Sequence, residues 1–149
     1  MDPDSLPPDA TPAAPRTRRI LETSLYVDDL ERARTFYESV LGLPVIFGND
    51  RLVALHAGEG SVLLLFRRGS AGGASEAEGT LPPHDGSGPL HFAFAIDGVD
   101  LEAWRDVLRT RGIAVEREIT WPRGGTSLYF RDPDQHLVEL ATPGLWTVY

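Results

Sequence analysis

The chain has 149 residues, a formal net charge of −8 at pH 7 and no cysteine. This length suits one domain or two small modules that share a core, and the acidic balance argues against nucleic acid or an anionic membrane surface as a partner. Because there is no cysteine, disulfides and thiolate ligands are excluded. Every basic side chain apart from histidine is arginine, which also excludes lysine Schiff bases.

The N-terminal half of the chain predicts a disordered leader followed by a first module. Residues 1–17 are rich in Pro, Asp and Ala with little to bury, and no secretory signal or membrane-spanning run is present, which favours a cytoplasmic location. Residues 19–27 alternate as a strand, and apolar residues then recur at helical spacing between an N-cap at Asp28-Asp29 and a C-cap at Gly42. Three shorter strands are predicted at 44–47, 51–57 and 61–67.

A change in composition separates two halves of one predicted domain, which spans residues 18–142. Module one covers 18–68, and residues 69–89, rich in Gly, Ala, Ser, Glu and Pro, are expected to form a linker or lid. Module two covers 90–142, with a strand at LHFAFAI, a helix from Asp97 to Gly112, and strands at 113–119, 126–131 and 136–142. Residues 143–149 form a tail.

The two halves have the same order of elements, βαβββ, which indicates an internal repeat. Aligning LETSLYVDDL with LHFAFAIDGV places Glu22 at the position of His91. Aligning SVLLLF with HLVELA places Leu64 at the position of Glu139. The repeat therefore relates four positions that carry two carboxylates, one imidazole and one apolar side chain.

The hairpin SLYFRDPDQHLVELA contains a carboxylate within an apolar strand. Asp132 and Asp134 belong to its turn, and strand alternation places Glu139 on the face opposite to His136. Glu22 and His91 lie on the less apolar faces of their strands, whereas the more apolar faces suit packing against helices. These patterns predict an α+β fold in which two βαβββ modules form a curved mixed sheet, with the helices on its convex face and Glu22, His91 and Glu139 in a concave cup.

A carboxylate in an apolar strand is costly unless it faces water, pairs with a cation or binds a metal. Two carboxylates and one imidazole form a ligand set that suits one divalent ion such as Mn²⁺, Fe²⁺, Co²⁺, Ni²⁺ or Zn²⁺. Three protein ligands leave coordination positions open to water or substrate, which is typical of a catalytic metal site. We therefore expect a metal site at Glu22, His91 and Glu139.

The segments ETSLYVDDLERARTFYESVLGL, LHFAFAI and YFRDPDQHLVEL, together with the repeat, resemble the vicinal oxygen chelate superfamily. This group includes glyoxalases, fosfomycin-resistance thiol transferases, extradiol dioxygenases and metal-free bleomycin-resistance proteins. The resemblance extends from about residue 20 to residue 142. It implies metal ligands at Glu22, His91 and Glu139, with Glu22 and Glu139 also as the catalytic carboxylates.

The resemblance also implies where a substrate would bind and how the chain would assemble. Leu64 stands where glyoxalase I has a further carboxylate ligand. Ser24 and Tyr129 match hydroxyl positions that lie near the substrate in fosfomycin transferases, and Ser127 lies beside them as a further substrate-binding candidate. Family members often form homodimers in which two chains share each site. A ligand carboxylate that detaches from the metal is a candidate general base.

The expected function is that of a divalent-metal-dependent, glyoxalase-like lyase, isomerase or thiol transferase. Its small substrate would bind the metal through two neighbouring oxygens. The alternative is a protein of the bleomycin-resistance type, which binds and sequesters a small molecule without a metal. The three ligand positions favour the enzyme, because the bleomycin binders lack them.

Overall fold

The computed structural model describes residues 13–70 and 81–149 of the chain. Its elements follow the order βαβββ twice, with a short 3-10 helix before the second α-helix. In chain order they are β1 (Glu22–Val27), α1 (Leu30–Leu41), β2 (Val45–Gly48), β3 (Leu52–His56), β4 (Val62–Arg67), β5 (His91–Ala95), the 3-10 helix (Gly98–Asp100), α2 (Leu101–Thr110), β6 (Arg117–Thr120), β7 (Thr126–Arg131) and β8 (Leu137–Ala141). The predicted α+β class and the repeated element order are confirmed.

The strands form two mixed sheets with the same topology. The first has the strand order β1-β4-β3-β2, and the second has the order β5-β8-β7-β6. β1 runs parallel to β4 and β5 runs parallel to β8, whereas the other neighbours are antiparallel. Ser24 lies opposite Leu64 in one sheet, and Ala93 lies opposite Glu139 in the other. Leu64 and Glu139 therefore occupy equivalent places, as the repeat predicts.

The first helix begins and ends where the sequence predicts. The Asp29 carboxylate accepts a hydrogen bond from the backbone N–H of Arg32 at 3.0 Å, which satisfies one donor of the first turn. Gly42 ends the helix with φ of 67°, a conformation that glycine adopts without steric cost. α1 buries one apolar face, formed by Ala33, Phe36, Tyr37, Val40 and Leu41.

Some element boundaries differ from the prediction. β1 starts at Glu22 rather than at residue 19 because its partner β4 starts at Val62, which lies opposite Glu22. The helix predicted from Asp97 is a 3-10 turn followed by α2, and no side chain caps α2 at its N-terminus. β6 starts at Arg117 rather than at residue 113, because its ladder with β7 begins at the pair Arg117 and Tyr129.

One hydrophobic core joins the two sheets, and α1 lies between them. α1 packs on β3 and β4, while the ring of Phe36 lies 6.4 Å from that of Phe130 and the ring of Tyr37 lies 6.3 Å from that of Phe92. The buried residues of β1, β4, β7 and β8 belong to the same cluster. Each sheet thus turns one face towards the shared core, and its other face points outward.

Buried polar contacts fasten the second module's hairpin to the first module. The Tyr37 hydroxyl donates to the Asp132 carboxylate at 2.7 Å, so Asp132 is a buried acceptor as well as a turn residue. His136 is fully buried on the core side, opposite to Glu139 as predicted, and its Nε2 lies 2.9 Å from the carbonyl oxygen of Tyr26. Its Nδ1 accepts from the backbone N–H of Leu90 at 2.9 Å, so the ring is neutral with its proton on Nε2.

The predicted leader and linker lie only partly within the described residues, whereas the predicted tail lies wholly within them. The predicted leader falls largely in residues 1–12, and part of the predicted linker falls in residues 71–80, both outside the described residues. Residues 81–89 contain no helix or strand; within them His84 Nδ1 lies 2.8 Å from the Tyr26 hydroxyl. The tail folds back, because the Tyr149 hydroxyl donates to the carbonyl of Ile96 at 2.7 Å. Within the described ranges, no helix has the length and apolar character that crossing a membrane requires.

Candidate metal and substrate site

The outward face of the second sheet carries a row of polar side chains. Arg117 on β6 lies opposite Tyr129 on β7, and Tyr129 lies opposite Glu139 on β8. Residues directly opposite one another point to the same face of a sheet, so these three side chains lie side by side. Ser127 and Ile119 form the next row on that face, and His91 lies at its edge beside Leu137.

Glu139 is held by a chain of hydrogen bonds. Its side chain is only 5% exposed, and its Oε2 accepts the hydroxyl proton of Ser127 at 2.5 Å. Ser127 is fully buried, and its Oγ accepts from the indole Nε1 of Trp121 at 2.8 Å. A carboxylate this deeply buried needs such partners, and the bond to Ser127 leaves Oε1 free to bind a cation.

His91 is oriented by the backbone so that one ring nitrogen faces Glu139. Its Nδ1 lies 2.9 Å from the carbonyl oxygen of Leu137, and because a carbonyl can only accept, Nδ1 carries the proton of that bond. The other nitrogen, Nε2, lies 3.3 Å from Oε1 of Glu139. In neutral His91 this contact would join two lone pairs. The pair therefore requires a proton or a metal cation between or beside the two atoms.

Tyr129 lies next to both of these residues. Its ring centroid is 6.1 Å from that of His91, and its pKa is raised above the usual value by burial and then by the neighbouring Glu139 carboxylate. The phenol is therefore protonated at neutral pH, as an ordinary tyrosine also is. Tyr129 can therefore donate a hydrogen bond to a ligand on this face.

Glu22 and Ser24 lie on the outward face of the first sheet. They alternate with Leu25 and Val27, which are buried in the core, and Glu22 is exposed. The sequence predicts that Glu22 joins His91 and Glu139, but among residues 13–70 and 81–149 of one chain no three acidic or histidine side chains cluster as a metal site. The shared core separates the two outward faces, so one chain brings together only His91 and Glu139.

Two cavities lie near these faces. A recess of about 380 Å³ on the second sheet is lined by Glu116, Arg117, Ile119, Tyr129, Arg131 and Leu137. A larger cleft of about 620 Å³ lies between the edge strands β1 and β5, and Thr23, Leu63, Phe92 and Phe94 are among its lining residues. Neither His91 nor Glu139 lines the larger cleft. They do not line the smaller recess either, but Tyr129 and Leu137 do, and these two lie opposite Glu139 and His91 in the sheet. The smaller recess therefore adjoins the candidate site.

Two residues of this site were not identified from the sequence. Trp121 does not belong to the site predicted from the sequence, although its position six residues before Ser127, across the β6–β7 turn, is compatible with the observed contact. Arg117 is likewise absent from the predicted site. The available signal was its position between Glu116 and Glu118 at the start of β6. Neighbouring residues of a strand face opposite sides, so Arg117 points away from the face of those two acids.

Comparison with known proteins agrees with this architecture. A family model described as Glyoxalase/Bleomycin resistance protein/Dioxygenase superfamily matches residues 19–140. A glutathione transferase FosA from Serratia marcescens is 30% identical over 120 residues, covering 78% of this chain and 75% of that protein. A probable lactoylglutathione lyase from Vibrio cholerae is 29% identical over 130 residues, covering 82% of this chain and 88% of that protein.

A solved structure shows the same fold along almost its entire length. The crystal structure of a lactoylglutathione lyase from Agrobacterium tumefaciens superposes with a TM-score of 0.81 at 34% identity, covering 88% of this chain and 98% of that one. The segment that the family model matches, residues 19–140, extends over both βαβββ modules and includes Glu22, His91 and Glu139. The chain belongs to the glyoxalase/bleomycin resistance protein/dioxygenase superfamily.

Proposed function

We propose that this protein is a divalent-metal-dependent, glyoxalase-like enzyme that acts on a small molecule with two neighbouring oxygens. Glu22, His91 and Glu139 would hold the ion. The observation that carries the proposal is the pair formed by His91 and Glu139, in which two acceptor atoms face each other at 3.3 Å. The relatives named as a lyase and a glutathione transferase support an enzyme rather than a passive binding protein.

The local chemistry fits a metal ion. Two protein ligands of one ion, each bound at about 2.0–2.2 Å, lie roughly 3 Å apart, which is close to the separation of His91 Nε2 and Glu139 Oε1. Metal-binding histidines usually donate their other ring N–H to a carbonyl or carboxylate, as His91 does to Leu137. A divalent ion bound there would act as a Lewis acid that polarises a substrate oxygen.

Glu22 would reach this ion from a second copy of the chain. The shared core directs Glu22 and the pair of His91 and Glu139 to different outward faces, so a homodimer is the arrangement that can complete the ligand set. Leu64 occupies the place equivalent to Glu139 in the first sheet and offers no ligand atom. The proposed site thus has three protein ligands and open positions for substrate.

Residues around the ion have separate roles in this proposal. Tyr129 would donate a hydrogen bond from its phenol to the substrate. Ser24 of the partner subunit would donate one from its hydroxyl. Ser127 already donates its hydroxyl hydrogen bond to Glu139, so we assign it the positioning of that carboxylate rather than a substrate contact. Glu139 is also the proposed general base: once Oε1 has left the ion, it could accept a proton from the substrate while Ser127 still holds Oε2.

The first test is metal binding by the purified protein. Metal-free protein is titrated with Mn²⁺, Ni²⁺ and Zn²⁺, with calorimetry and thermal unfolding as readouts. We expect about one ion per chain and a higher Tm, because a ligand that binds only the folded state stabilises it. His91→Ala should remove both effects, whereas His56→Ala, at an exposed strand end, should not. Absence of binding by the wild type contradicts the proposal.

The second test is activity of the metal-loaded protein. Hemithioacetals formed from glutathione and 2-oxoaldehydes test a lyase or isomerase reaction, and fosfomycin with glutathione tests thiol transfer. Turnover that requires the metal supports the proposal. Tight binding of a small molecule such as bleomycin by metal-free protein, without turnover of either substrate, would instead support the sequestration function.

A further inference from the structure

We propose that Arg117 forms an anion subsite in the recess beside the metal site, and that the ligand bears a carboxylate or phosphate-type group separate from its chelating oxygens. This inference deepens the proposed function by naming a substrate class. It concerns a residue that the metal site itself does not use.

The position of Arg117 relative to Glu139 supports this assignment. Arg117, Tyr129 and Glu139 lie opposite one another on three adjacent strands, so their backbones span two strand spacings, or about 10 Å. Tyr129 lies between the cation and the metal-binding carboxylate. A ligand bound to the ion would therefore cross the Tyr129 phenol before its far end meets the Arg117 guanidinium.

The charges around the recess distinguish Arg117 from its neighbour Arg131. Arg131 donates to both carboxylate oxygens of Glu116, at 2.7 and 3.3 Å, and also to the carbonyl of Gln135. This pair neutralises itself. Glu118, the acid on β6, pairs with Arg105 of α2.

Arg117 remains available to a ligand. In the part of the chain that the structure describes, its side chain has no hydrogen-bond or ion-pair partner, and it lines the recess of about 380 Å³. A planar guanidinium presents paired N–H donors that match the two oxygens of a carboxylate or phosphate. The charged residues that line the recess are Glu116, Arg117 and Arg131, so the recess carries one net positive charge, which suits a terminal anion.

A pair of matched probes tests the subsite in the Mn²⁺-loaded protein. 2-Oxoglutarate and 2-oxopentanoate share the 2-oxo acid group, which can chelate a metal through two neighbouring oxygens, and differ in the remote carboxylate. We expect 2-oxoglutarate to bind about tenfold more tightly by calorimetry, because its remote carboxylate can accept charge-assisted hydrogen bonds from Arg117.

Substitution shows whether Arg117 causes that preference. Arg117→Gln should reduce the preference to less than twofold while Mn²⁺ affinity stays unchanged. Arg109→Gln, which removes the same charge from the exposed surface of α2, should preserve it. Equal affinity of the wild type for the two probes, binding of neither probe, or a preference that survives in Arg117→Gln would overturn the subsite.

A metal-independent measurement separates this inference from the proposed function. Metal-free protein is titrated with inorganic phosphate, and tryptophan fluorescence reports binding because Trp121 contacts the buried Ser127 of the same face. If Mn²⁺ does not bind, the proposed function fails, and the subsite is judged on phosphate alone. Saturable binding weakened at least fivefold in Arg117→Gln supports it, and an unchanged or absent signal refutes it.

Discussion

The hydroxyl of Ser127 donates a hydrogen bond to Oε2 of Glu139 at 2.5 Å, and both side chains are buried. The same hydroxyl oxygen accepts the indole N–H of Trp121. The carboxylate is therefore fixed on one side by a neutral donor, and its second oxygen is directed towards His91. Orientation of ligands by such partners is a common requirement of metal sites.

Removing this hydrogen bond should weaken metal binding without removing a ligand. We predict that Ser127→Ala lowers Mn²⁺ affinity by about 10- to 100-fold, the usual range for loss of a residue that orients a metal ligand. Calorimetric titration of the metal-free protein measures the effect. Ser61→Ala, in the turn before β4, is the matched control and should leave affinity unchanged. Unaltered affinity in Ser127→Ala would show that Glu139 does not depend on this contact.

The fold could be predicted from the sequence because its signals are local. Asp29 and Gly42 delimit α1, and strand alternation assigns Glu139 and His136 to opposite faces. The site could be predicted only in part. Strand alternation says which face Glu22 occupies, but not that α1 packs between the two sheets and directs their outward faces apart. That arrangement depends on long-range packing of aromatic side chains.

Contacts across turns were harder still to predict. The bond from Trp121 to Ser127 depends on the geometry of the β6–β7 connection, and the availability of Arg117 depends on which acids its neighbours bind. Neither property is encoded in residue type or period alone.

A shared site predicts that two defective variants can restore each other. Glu22→Ala and Glu139→Ala should each bind Mn²⁺ weakly. When the two are mixed and allowed to exchange subunits, each mixed dimer would have one intact site, formed by Glu22 of one chain with His91 and Glu139 of the other. Calorimetry should then recover tight binding, approaching one ion per mixed dimer. If mixtures bind no better than the separate variants, the ligands do not come from two chains.

The proposed base role of Glu139 predicts a division between binding and turnover. Glu139→Gln keeps a side-chain oxygen that can face the ion but cannot accept a proton at neutral pH. We expect measurable, weakened Mn²⁺ binding together with turnover reduced at least 100-fold on the substrate identified for the wild type. Activity close to that of the wild type at saturating Mn²⁺ would remove Glu139 as the base.

The close approach of Gly86 to Tyr26 predicts a steric effect at residues 81–89. A Cβ at Gly86 would clash with Cδ2 of Tyr26, whose ring stacks on Phe66 and whose hydroxyl bonds to His84. Gly86→Ala should therefore reduce the free energy of unfolding by about 1–3 kcal/mol. Gly98→Ala is the control, because a Cβ there meets nothing within 4 Å. Chemical denaturation of both variants measures the difference, and equal stabilities would show that the segment moves aside freely.

The buried phenol of Tyr37 predicts a specific loss of stability at alkaline pH. Burial, followed by the nearby Asp132 carboxylate, raises the pKa of Tyr37 well above its usual value of about 10. At pH values between the usual pKa of tyrosine and the raised pKa of Tyr37, the unfolded chain loses the proton while the folded protein retains it. The free energy of unfolding therefore falls as the pH rises through this range. The Tyr37→Phe variant has no phenol at this position, so its stability lacks this pH-dependent contribution. At pH 7 the variant should be less stable by about 1.5–3 kcal/mol, because a hydrogen bond to a charged group is lost. From pH 9 to 11 this difference should shrink, as denaturation curves at each pH would show. A constant difference across that range would mean that Tyr37 ionises equally in both states.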